Sequence, residues 1–303
     1  MRKQFLVSLM FIFSIPSIHA QVDSVTVTET PAPSGGTLVV KEERSETKRL
    51  VYKLKPAVDI PIVAAGTAWS LYAFTKIYSK GNSTEAQVLA LKKSDVNAFD
   101  RRGMYSYSKS LDNLSYYPFY TAIPLPFVFF LTTDDTRHDY WKLSFLYWET
   151  MAATGLFGTS ATYYVDKYRP YAYFSETPME KRINQNSKNS FYAGHVEVVA
   201  ASTFFISKVY WDYYPESGFK WAFFGVASAA TAATAYMRLK AGEHFPSDIL
   251  LGTATGTLTG ILVPQFHKVK EDGLSFLPYM NGEAKGLTLI YTVPGSHSKN
   301  TYQ

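Results

Sequence analysis

No cysteine occurs in this chain of 303 residues, which excludes disulfides, thiolate metal sites and a cysteine nucleophile. An excess of one charge is also missing. Lys and Arg number 30 against 25 Asp and Glu, and two of the basic residues, Arg2 and Lys3, fall in the N-terminal leader described next. So small a surplus suits contact with anionic lipid or phosphate and argues against a nucleic-acid partner. Internal repeats are absent, and so is any grouping of carboxylates and histidines at metal-ligand spacing, so no metal and no cofactor is expected. What the chain has in quantity is apolar and aromatic residues, 47% and 16%, enough for one large domain or a membrane bundle.

The first 21 residues, MRKQFLVSLMFIFSIPSIHAQ, set two basic residues before an apolar core and end in His19-Ala20. This predicts a secretory signal peptide over 1–20, with an uncleaved anchor as the alternative. Residues 21–55, rich in Thr, Ser, Pro, Glu and Lys and holding PAPSGG, read as a flexible linker. A helical domain is expected over 56–270, then a hairpin and tail over 271–303, where apolar and polar residues alternate around Asn-Gly and Lys-Gly.

Six segments of that domain, 60–75, 113–133, 150–165, 198–207, 221–237 and 249–266, contain no charged residue. They predict an all-α fold: a six-helix bundle, transmembrane, with a short C-terminal β-hairpin. A soluble all-α domain with buried helices is the competing reading. The second segment holds Pro118, Pro124 and Pro126 and is therefore expected to kink or to insert only in part.

Three polar clusters interrupt these segments at helix ends, which an antiparallel bundle brings to one side. Lys167, Arg169 and Pro170 follow the third segment, and Ser190, Gly194 and His195 open the fourth. Arg238 and His244 lie between the fifth and sixth, with Pro246 and Asp248 in the first turn of the last. The amides around Gly194 suit a phosphate, because the first N–H groups of a helix have no partner within it.

These clusters resemble the three signature motifs of the type 2 phosphatidic acid phosphatase superfamily, which also holds class A bacterial acid phosphatases and vanadium haloperoxidases. The resemblance spans 59–268. The third motif, Arg followed after five residues by His and after three more by Asp, matches at Arg238, His244 and Asp248. The first matches at Arg169 and Pro170, but the position of its Lys holds Thr162, and Lys167 is the replacement cation nearest in sequence. The second, Pro-Ser-Gly-His, appears as Tyr192-Ala193-Gly194-His195, without its proline and serine.

The resemblance implies a metal-independent phosphatase. His244 attacks phosphorus to form a phosphohistidine, Asp248 holds its other ring nitrogen, and His195 protonates the leaving alcohol and then activates water. Arg169, Arg238, Lys167 and the Gly194 amides bind phosphate. The implied substrate is a lipid-linked phosphate or pyrophosphate monoester, and the implied place is the bacterial cell envelope, in the inner membrane with a periplasm-facing site. Alternatives are a soluble periplasmic acid phosphatase, a haloperoxidase, and a non-catalytic membrane scaffold. Glu197 and Glu243 read as helix-end or rim carboxylates, Glu149 as a buried partner for a basic residue, and His138 and His267 as ordinary hydrogen-bonded histidines.

Overall fold

Prolines and small caps decide where the long helices of this domain begin. The computed structural model describes residues 49–269, together with the backbone of 274–280 and 285–291. Helix α1 (Pro56–Ile77) opens on a proline, and the Asp59 carboxylate in its first turn accepts the Lys55 amide at 2.5 Å. Short helices follow: α2 (Glu85–Leu89), whose Thr84 and Gln87 form a capping box, and α3 (Ala98–Arg101). Next come α4 (Lys109–Leu114), α5 (Tyr116–Ala122), α6 (Leu125–Phe129) and α7 (Asp134–His138). The rest is dominated by α8 (Tyr140–Tyr164), α10 (Gly194–Tyr213), α11 (Phe219–Lys240) and α12 (Pro246–His267), with the short α9 (Met179–Ile183) between α8 and α10.

The expected six-helix bundle with a short hairpin is corrected here. Among the described residues five helices are long, and the second apolar segment forms α4, α5 and α6 instead of one helix. The physical cause is its prolines: Pro124 sits at the N-cap of α6 and Pro126 within its first turn, where neither has an amide to continue the helix from α5. The broken segment nevertheless runs the length of the bundle. Asp112 of α4 bonds Arg238 at the end of α11, whereas Phe130, just past α6, packs on Tyr140 at the start of α8. After α12, strands β1 (Leu274–Met280) and β2 (Lys285–Tyr291) pair antiparallel, Leu274 opposite Tyr291. The expected leader, the linker up to residue 48 and the C-terminal tail lie outside the described residues.

At Val51 and Tyr52 the expected linker is packed into the domain. Tyr52 is fully buried, pairs with Lys268 through a backbone bridge, and donates its hydroxyl to Asp212 at 2.7 Å. Both ends of the helical domain therefore meet at one end of the bundle. Phe129, Phe130, Leu143, Leu146, Tyr147, Phe205 and Val209 form the core beside them. Each fully buried aromatic or leucine there contributes about 1.5–3 kcal/mol, and Phe205→Ala would cost about 3–5 kcal/mol through the cavity it leaves.

Helices α10 and α12 lie closest together. A methyl group at Gly252 would stand 2.7 Å from the Ala193 carbonyl oxygen and one at Gly260 2.6 Å from that of Ala201, so only glycine lets the two backbones approach this far. The outward faces are apolar: Ile60, Leu71 and Phe74 on α1, Phe157 on α8, Trp221 and Val226 on α11, and Leu250, Leu258 and Phe266 on α12 are exposed. Helices α1 and α12 have the length and composition of membrane spans.

Candidate active site

The end of the bundle away from Tyr52 gathers the three polar clusters. Arg169 lies in the loop beyond α8, held extended ahead of Pro170, which starts a 3-10 turn, and its own amide is held by Ser187 O at 2.7 Å. Gly194 and His195 are the first residues of α10, Arg238 lies in the last turn of α11, and Asp248 in the first turn of α12. His244 sits in the tight connection between α11 and α12. Gly242 makes that connection possible, with φ +68 and no room for a side chain, since a Cβ would stand 2.8 Å from Ser106 O.

A cavity of about 230 Å³ opens between α1, α8 and α10. His195, His244, Arg169, Gly194 and Glu197 line it, and Phe74, Ile77, Phe119 and Met151 form its apolar wall. The His244 ring is oriented by one bond: Nδ1 lies 2.8 Å from the Ser190 carbonyl oxygen. A carbonyl only accepts, so Nδ1 carries the proton and Nε2 keeps its lone pair. Nε2 in turn lies 3.5 Å from an Arg169 nitrogen. Burial first, then the charges of Arg169 and Arg238, push the His244 pKa well below the usual histidine range, so the ring is neutral. His195 stands with its ring 4.7 Å from Tyr116 and 4.5 Å from Phe119, and its buried Nε2 makes no hydrogen bond.

Three expectations for the cluster are corrected. Asp248 does not hold His244. Its first-turn position points the carboxylate back at the helix start, where it accepts Phe245 N at 3.0 Å, Ser190 Oγ at 2.6 Å and Lys167 Nζ at 2.8 Å. It reaches His244 only through Ser190. Lys167 is not among the cavity-lining residues, because its ammonium is spent between Asp248, Asp100 at 3.1 Å and Ser247 at 3.1 Å. Thr162, which stands where the motif has Lys, does line the cavity, and Lys80 donates to its carbonyl at 2.7 Å. Arg238 lies beneath the cavity, 2% exposed, donating to Asp112 at 2.7 Å, Ser115 at 3.1 Å and Glu243 at 3.3 Å, with its Nε unpaired.

Glu243 is the functional residue that the sequence reading set aside. It is buried between Arg169 and Arg238 and also accepts Lys181 at 3.0 Å. Burial opposes its charge, yet Arg169, Arg238 and Lys181 together hold its carboxyl down to about 2. Its place directly before His244 was the only sequence signal for this role. Glu197, read as a helix-end carboxylate, is likewise buried on the cavity wall and accepts the Tyr192 hydroxyl at 2.5 Å.

The cluster thus offers a neutral imidazole with a free lone pair, a second histidine, one arginine on the cavity and the open start of α10. The start of α12, by contrast, is filled: Asp100 accepts Ser247 N at 2.9 Å and Asp248 accepts Phe245 N. The family model described as the PAP2 superfamily matches residues 143–272, which include every one of these motif positions. No curated protein matches the chain. Among solved structures, the crystal structure of the first transmembrane PAP2 type phosphatidylglycerolphosphate phosphatase from Bacillus subtilis is similar at 18% identity, covering 67% of this chain and 94% of that one, with a TM-score of 0.40.

Proposed function

Because the PAP2 superfamily model matches residues 143–272, which hold every motif position, we propose that this chain is a phosphoric monoester hydrolase acting on a lipid-linked phosphate or pyrophosphate. The observation that carries this reading is the cavity itself. The lone pair of His244 Nε2, His195 and Arg169 share one wall with an apolar surface of Phe74, Ile77, Phe119 and Met151, which suits a phosphate carried on a hydrocarbon group.

In the first step His244 Nε2 attacks phosphorus and the bond from phosphorus to the alkoxy oxygen breaks. His195 gives that oxygen its proton. In the second step water attacks the phosphohistidine, His195 takes the water proton, the N–P bond breaks and inorganic phosphate leaves. Arg169 and the first amides of α10 bear the charge on the equatorial oxygens, and Arg238 acts behind them through Glu243. Ser190 takes over the orienting role that a triad carboxylate has elsewhere.

The apolar outer faces of α1, α8, α11 and α12 support a place in the membrane. We read the cavity as facing the periplasm, which puts Arg49 and the far end of the bundle on the cytoplasmic side and agrees with the leader expected over 1–20 only if that segment does not carry the chain across the membrane. The absence of cysteine makes single-cysteine labelling a clean test. Glu176→Cys, exposed at the cavity end, should react with an impermeant maleimide in intact spheroplasts, and Lys53→Cys, exposed at the other end, should not. The opposite pattern would reject the periplasmic face, and labelling at both positions would reject the membrane span. For the reaction, phosphate release from lipid phosphates should persist in EDTA and be inhibited by vanadate. No release from any lipid phosphate, with turnover of water-soluble esters, would move the assignment to a broad acid phosphatase.

A further inference from the structure

We propose that Asp59, Glu149 and His267 form a binding site for a divalent transition-metal ion of the zinc type, at the end of the bundle remote from the cavity. The three residues come from α1, α8 and α12, and His267 lies about 28 Å along α12 from Asp248 at 1.5 Å per residue. One ligand atom from each lies within 4.8 Å of the other two. His267 Nε2 is 3.3 Å from Asp59 Oδ2 and 3.3 Å from Glu149 Oε2. A tetrahedral ion with bonds of about 2.0–2.1 Å holds its ligand atoms about 3.3 Å apart, so these separations are the edges of such a tetrahedron.

Two further observations point to a cation at this place. His267 Nδ1 lies 2.9 Å from the Val263 carbonyl oxygen, so Nδ1 is the protonated nitrogen and the Nε2 lone pair faces the carboxylates. A histidine that donates one ring N–H to a backbone carbonyl and turns its other nitrogen to two carboxylates has the usual arrangement of a metal ligand. Glu149 Oε2 is buried and makes no hydrogen bond despite its nearness to Nε2.

The charge balance agrees. Asp59 is 3% and Glu149 7% exposed, and among the described residues His267 is their one ion-pair partner. The nearby ammonium groups of Lys208 and Lys268 are on Asp212, at 2.5 and 2.7 Å. A lone imidazolium would leave one buried negative charge uncompensated, whereas a divalent ion with neutral imidazole balances both carboxylates. Carboxylate and imidazole donors without thiolate suit zinc. The ion would clasp α1 and the end of α12 onto α8, a structural role separate from the phosphatase chemistry.

The test is metal analysis of the full chain, purified in detergent without a polyhistidine tag. Wild type should carry or take up about one Zn²⁺ per chain, with a rise in melting temperature. Glu149→Gln and His267→Gln should each weaken Zn²⁺ binding at least about tenfold, and the surface control His138→Gln should not. The zinc-edge absorption spectrum of the wild type should show an oxygen and nitrogen shell with one imidazole, a reading that needs no variant to fold. Absence of stoichiometric zinc in wild type at micromolar Zn²⁺, unchanged binding in both variants, or a shell with several imidazoles would each overturn the site. Zinc-free wild type in which Glu149→Gln raises the melting temperature would identify an imidazolium-bridged triad instead.

Discussion

The two ends of the bundle treat charge in opposite ways. At the cavity end Arg169, Arg238, Lys181 and Lys167 are matched by Glu243, Asp112, Asp100 and Asp248, and each carboxylate has a cation within 3.3 Å. What remains unspent there is a histidine lone pair and the amides that open α10. At the other end two buried carboxylates share a single histidine. A balanced network with open donors receives an anion. A network short of positive charge receives a cation. On the two proposals the same residue types would serve ligands of opposite sign, and the deciding variable is which buried group is left without a partner.

The largest expected effect breaks the cavity end outright. His244→Ala should lower turnover by roughly 10⁴-fold or more, even for p-nitrophenyl phosphate, since no phosphohistidine forms. Acid-quenched wild type should carry acid-labile phosphate on His244, and a label elsewhere would refute its role. Arg169→Ala should reduce kcat by about 10²–10³-fold, whereas Lys268→Ala at the far end should leave kcat unchanged. A similar loss in both would show that the effect is global stability and not charge at phosphorus.

His195→Ala sharpens the contrast between steps. It should cost about 10²-fold on a lipid phosphate and much less in the first step on p-nitrophenyl phosphate, whose leaving group needs little protonation. Equal losses on both would remove it from the acid role.

pH gives a smaller effect with a defined sign. The folded His244 pKa lies below its ordinary value, near 6.5, so the nucleophile stays neutral as pH falls to about 6, and single-turnover rates on the activated ester should hold over that interval. Its contribution to stability is present above about 6.5 and is lost as pH falls toward the folded value. Glu243 follows at lower pH: its contribution is present above about 4.3 and fades toward about 2. A rate that halves with a midpoint near 6.5 would contradict the buried, neutral ring. Asp248→Asn should have the smallest effect, less than about tenfold in kcat, because the tautomer of His244 is set by Ser190. A loss as large as that of Arg169→Ala would mean that Asp248 reaches His244 during turnover.

The motifs at the cavity end were legible because they are local, but which of their residues face the cavity was not. Arg238, His244 and Asp248 fall within one turn and two helix ends, and helix geometry places them together without knowledge of the fold. Their partners were hidden. Lys167 meets Asp100 only through the docking of α3 on the start of α12, and Glu243 is buried because Arg169 arrives from another loop. Asp59, Glu149 and His267 are far apart in the chain and share no spacing that a pattern detects. The single second helix failed for a different reason, since its apolar composition was legible but the register of Pro124 and Pro126 decided the break.

The glycine face of α12 makes the active site a lever with its fulcrum in the bundle interior. His195 stands at the start of α10 and His244 just ahead of α12, so the gap between the two rings is the splay of two stiff rods, measured at their tips. Gly252, Gly256 and Gly260 set that splay at successive turns from the tips inward. A methyl added at Gly252, against Ala193, would part the tips, and one at Gly260, against Ala201, would act farther from them, so substitutions along one stripe would tune the gap without touching either ring.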